Sequence, residues 1–100
     1  MPKKLEAYDV ISKTIPKKMT ANNALDCLEL LNYIVSDIPA STLISKPMEN
    51  LPGIINHCLN EFNRNTNLKW TEILSKHGNR FKSLLNKIQI AGLNGKIYQP

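Results

Sequence analysis

The sequence predicts an all-α fold: a compact bundle of about five helices, one of them short, followed by a short C-terminal tail. Three observations carry that prediction. Apolar residues recur every three or four positions along several separate stretches, which is the spacing of one helix face. Prolines and capping residues separate those stretches. The chain has 100 residues and 11.3 kDa, for which folding would leave roughly 5,700 Å² of an unfolded surface of roughly 16,000 Å², enough for one core but not two. Thirteen Leu and eleven Ile make that core aliphatic.

The elements follow in order. Pro2 suits the first turn of a helix, where its missing N–H leaves no bond unmade. Leu5, Tyr8, Ile11 and Ile15 then recur at helical spacing, Asp9 and Lys13 stand as an i,i+4 pair, and Pro16 ends the helix because residues before proline avoid the α region. Thr20 or Asn22 caps a second helix reaching about Ser36. Its apolar set, Leu25, Cys27, Leu28, Leu30, Leu31, Ile34 and Val35, covers more than half the circumference, as in a central, deeply buried helix. Asp26, Glu29 and Tyr33 take the narrow remaining face, with Asp37 just beyond the end.

Pro39 opens a short helical turn through Leu43 and Ile44, ended by Pro47. The next helix has Asn50 as cap and Pro52 in its first turn, with Leu51, Ile54, Ile55, Cys58, Leu59 and Phe62 on one face. Residues 63–67 read as polar loop or cap. Trp70, Ile73, Leu74, His77, Phe81, Leu84, Leu85 and Ile88 then keep one stripe. Gly78 costs about 1 kcal/mol relative to Ala, yet the apolar phase continues across it, so one long helix bent at Gly78 is expected. Asn94-Gly95 is a hairpin signal, but an isolated ribbon is marginal, so residues 92–100 read as a tail packed on a single helical domain of residues 1–91.

The net charge of +5 is unevenly placed. Residues 1–20 and 63–100 are basic and residues 21–62 acidic, an arrangement suited to a mixed-charge partner rather than to an enveloping polyanion. On one continuous helix Lys69, Lys76, Arg80 and Lys87 would fall in line and could follow a phosphate backbone or an acidic groove. Asp26, Glu29 and Asp37 form the opposing strip.

Chemistry-bearing motifs are sparse. Cys58 adjoins His57, but neighbours on a helix point about 100° apart, which makes Cys58 a core thiol and His57 an outward ring within reach of Glu61. Cys27, His57, Cys58 and His77 number four possible zinc ligands but lack paired-ligand spacing. No phosphate-cradling glycine loop or hydrolase motif occurs. The expectation is therefore no catalytic residue, no metal and no cofactor. With two cysteines, no apolar run of membrane length and no recognisable leader, reduced thiols and a cytoplasmic (in a eukaryote, possible nuclear) location are expected.

In layout, residues 20–88, with the proline-started short helix from Pro39 to Lys46 and a basic last helix, resemble the partner-binding domains of transcription elongation factors. That resemblance implies a docking role and carries no residue assignments. The expectation is a small non-enzymatic regulator, inhibitor or adaptor docking on a protein through Lys69, Lys76, Arg80 and Lys87 on one side and Asp26, Glu29 and Asp37 on the other. The alternative is a DNA- or RNA-binding regulator using the basic last helix. A helix-turn-helix centred on Gly78-Asn79 fits less well, because Leu74 and Asn79 stand where that motif wants a small and an apolar residue. No membrane partner is expected, and monomer and homodimer are both open.

Overall fold

The computed structural model describes residues 3–99. Among them, six α-helices follow one another: α1 (Lys3–Thr14), α2 (Ala21–Val35), α3 (Ala40–Leu43), α4 (Leu51–Thr66), α5 (Trp70–His77) and α6 (Lys82–Ile90). Three 3₁₀ turns, Lys46–Met48, Gly78–Phe81 and Asn94–Lys96, complete the chain, and none of the described residues forms a strand. The all-α bundle predicted from sequence is therefore the fold. Pro2 lies outside the described residues.

The helix with the widest apolar arc takes the centre. Ala24, Leu25, Leu28, Leu31, Ile34 and Val35 of α2 are buried, and α2 packs on α4, α6, the 78–81 turn and α1. Thr20 is its cap, its Oγ1 accepting from the Asn23 N–H at 3.1 Å. α4 lays Leu51, Ile54, Ile55, Cys58, Leu59 and Phe62 against α2, with Pro52 in its first turn. It runs to Thr66, a turn beyond the apolar stripe, and ends on Asn67 with φ 58°, a left-handed cap that asparagine tolerates. Pro47 does not stop the chain after α3; it sits in the first turn of the 46–48 helix, which buries Met48.

The α1–α2 connection is tied down by one face of α4. The His57 ring nitrogen Nε2 lies 2.7 Å from the Pro16 carbonyl. One turn on, the buried Glu61 carboxylate accepts from the Met19 N–H at 3.0 Å and pairs with Arg64. Asn65 donates to the Met19 carbonyl at 2.9 Å. Both backbone groups of Met19 are thus satisfied by side chains four residues apart on α4.

The expected long last helix is two helices. α5 ends at His77, residues 78–81 tighten into a 3₁₀ turn, and α6 starts at Lys82. Gly78 is not the hinge by conformation, since its φ of −56° and ψ of −30° are ordinary right-handed helix; the departures are at His77 (φ −130°) and Phe81 (φ −134°, ψ 34°). The break is held from α2. Asn32 Oδ1 accepts the Leu84 N–H at 2.8 Å, a donor that a continuous helix would give to the carbonyl four residues back. The turn carries Phe81 into the core, where Leu84 and Ile88 follow.

The tail packs through Leu93, which is buried, and through Asn56 of α4, which donates to the Lys96 carbonyl at 2.8 Å and accepts from the Tyr98 N–H.

Candidate interaction surfaces

The two charged strips read from the sequence touch at one residue, Arg80. Arg80, in the 78–81 turn, reaches across to α2, its Nε 3.0 Å from Glu29 Oε2 and its terminal nitrogen 2.9 Å from Asp26 Oδ1. Those hydrogen bonds to Glu29 and then Asp26 raise the Arg80 pKa further above its ordinary value. Lys87 donates to the carbonyls of Ser36 and Ile38, where α2 ends and cations are favoured. Asp37 lies 3.7 Å from Lys4. Lys69 and Lys76 lie on α5 and its cap, exposed, and among the described residues neither ammonium forms an ion pair. Because the helix breaks at residue 78, the four cations do not share one helical line. Arg80 and Lys87 turn to α2, while Lys69 and Lys76 face solvent.

A different surface stands out. Of the large apolar side chains left exposed, Val10 (59%), Leu30 (47%) and Tyr33 (65%) share one groove between α1 and α2. The groove has a volume of about 540 Å³ and is completed by Lys3, Lys4, Ala7, Ile11 and Ile34. A second depression of about 320 Å³ continues it along α1 past Thr14, Ile15 and Pro16, with Ile11 and Leu30 common to both. Lys4 braces one wall, its Nζ 3.2 Å from the Tyr33 ring centroid and 3.3 Å from the Tyr33 carbonyl. The sequence placed Leu30 in the buried arc of α2 and Tyr33 beside the acids. The signal for the groove was the arc itself: an apolar surface wider than half a helix needs neighbours on every side, and α1, which buries only Tyr8 fully, is too polar to cover it.

The cysteines and histidines have local partners. Cys58 is fully buried and Cys27 half-buried, both unpaired by disulfide. The two neighbouring thiols act on each other, which holds Cys27 below its ordinary pKa and, with burial, pushes Cys58 up. His77 rests edge-on against Phe62, ring centroids 5.4 Å apart at 79°. Among the described residues no group of three or more His, Cys, Asp or Glu side chains could hold a metal ion. No described helix is long and apolar enough to cross a membrane.

No protein-family model, no curated protein and no solved structure matches the chain.

Proposed function

We propose that this chain is a small non-enzymatic binding protein that docks on another protein through the α1–α2 groove. One observation carries the reading: three large apolar side chains, Val10, Leu30 and Tyr33, are held exposed side by side along a concavity. Scattered apolar residues are normal on any surface, whereas a contiguous patch in a groove is the form that protein docking uses. The charged strips contribute less than the sequence suggested, because Arg80, Asp26 and Glu29 already satisfy one another.

Affinity capture from the native host, with nuclease treatment, tests the reading. The expected outcome is a partner that survives nuclease, is lost with Leu30→Asp and is retained by a Lys69→Glu/Lys76→Glu variant. Leu30 is half exposed, so the substitution leaves the core intact. A partner that disappears with nuclease, or that depends on the lysines and not on Leu30, sinks it.

The second reading is nucleic-acid binding. It is favoured by the two short helices joined through a four-residue turn, with Lys69, Lys76 and Lys82 exposed around them.

A further inference from the structure

The same groove carries a charge signature, and from it we infer the chemistry of its occupant: an amphipathic helix with acidic residues flanking its apolar stripe. The inference rests on the docking reading above. The groove follows α1, whose twelve residues span about 18 Å, so an occupying helix of about three turns would present apolar anchors at i, i+3 or i+4, and i+7. Val10, Ile11, Leu30 and Tyr33 supply the apolar floor and walls for such anchors.

The ends of the groove are basic. Lys3 and Lys4 line one end. Pro16 lines the other and is followed directly by Lys17 and Lys18, both exposed. Most nearby carboxylates are already engaged: Asp9 by Lys13 at 3.0 Å, Asp26 and Glu29 by Arg80, and Asp37 by Lys4. Among the described residues this leaves Glu6 as the acid on α1 without a cationic partner, against Lys3, Lys17 and Lys18. A second copy of this chain is disfavoured as occupant, because it would set the same lysines against these. An acidic helix meets them with opposite charge at both ends while filling the groove.

The test is a titration of the isotope-labelled protein, followed by amide shifts, with two synthetic helical peptides of roughly 15 residues. They share one leucine stripe and differ only in carrying glutamates or lysines beside it. The glutamate peptide is expected to bind at least about tenfold more tightly at low salt and to lose that advantage as salt is added. Shifts should centre on Val10, Ile11, Leu30 and Tyr33. Lys3→Glu/Lys17→Glu/Lys18→Glu should reverse the preference, and Leu30→Asp should abolish binding of both, with thermal unfolding confirming that each variant is folded. Equal binding of the two peptides in the groove overturns the acidic occupant and leaves the groove reading standing. Binding of neither, or shifts centred elsewhere, overturns both. A dimer of the free protein that Leu30→Asp dissociates, seen by sedimentation, makes the occupant a second copy and likewise overturns the inference.

Discussion

Tyr8 carries a polar atom into an aliphatic core. It is 2% exposed and its hydroxyl has no hydrogen-bond partner. Burial first, then the charges of Asp9 and Glu49, push its pKa from 10.0 up to about 12. Two consequences follow from that position. At neutral pH an unpaired buried hydroxyl costs about 1 kcal/mol or more, so Tyr8→Phe should stabilise the protein by about that amount, read as a rise in denaturation midpoint. The alkaline limb follows from the sign of the shift. The folded state holds the phenol neutral and the unfolded state ionises it more readily, so the stabilisation from this group is full below about pH 10. It is lost as pH rises from 10 towards 12, by an amount of order 2 kcal/mol. Tyr8→Phe should flatten the loss of stability over that window relative to wild type; identical slopes for the two proteins would show that Tyr8 does not titrate on unfolding. The missing partner is not legible in the sequence, because helical spacing places Tyr8 on the inward stripe but says nothing of what faces its hydroxyl.

At the scale of an element, the break between α5 and α6 separates what periodicity can show from what it cannot. Steps of three and four fit a 3₁₀ turn as well as an α-helix over one turn, so the apolar stripe from Trp70 to Ile88 reads as continuous although the helix is not. The deciding contacts come from α2, more than fifty residues earlier: Asn32 on the Leu84 N–H and Asp26 and Glu29 on Arg80. This assigns Gly78 a minor part. Its backbone is right-handed, and an added Cβ would meet only Leu74 at 3.7 and 3.8 Å, ordinary contact distances. Gly78→Ala is therefore expected to stabilise by about 0.5–1 kcal/mol, since alanine loses less backbone freedom on folding. Asn32→Ala should cost about 1–2 kcal/mol by leaving a part-buried N–H without an acceptor. Urea unfolding of both variants checks the pair. A silent Asn32→Ala together with a destabilising Gly78→Ala would mean that the glycine, not the α2 cap, makes the break. By contrast, the helices bounded by local chemistry, α2 after Thr20 and α4 after Asn50 with Pro52 in its first turn, start where the sequence places them.

For the whole molecule the question is where the surplus positive charge is felt. Sequence arithmetic locates an acidic middle between basic ends, and the fold folds one of those ends back onto the middle. Arg80 against Asp26 and Glu29 joins residues 54 and 51 apart, a pairing no local pattern encodes, so three charges that read from the sequence as outward-facing form an intramolecular contact. The groove was hidden for the matching reason: whether an apolar residue is covered depends on the neighbour that arrives, and α1 leaves Leu30 and Tyr33 open. This redistribution gives the nucleic-acid reading a quantitative form. Four aligned cations would predict a salt slope of about −3.6 for duplex DNA and roughly a hundredfold loss of affinity between 50 and 200 mM salt. With Arg80 and Lys87 engaged on α2, Lys69 and Lys76 are left from that strip, which lowers the expected slope to about −1.8 and the loss to roughly tenfold. Adding Lys82 raises it by about one unit at most. Reversing charge at Lys69 and Lys76 should then remove most of the remaining binding, whereas Arg80→Glu should act through stability, because it places a third carboxylate beside Asp26 and Glu29. A measured slope near −3.6 that Arg80→Glu reduces, at unchanged thermal stability, would mean that Arg80 leaves α2 to meet phosphate, and the nucleic-acid reading would then overtake the groove.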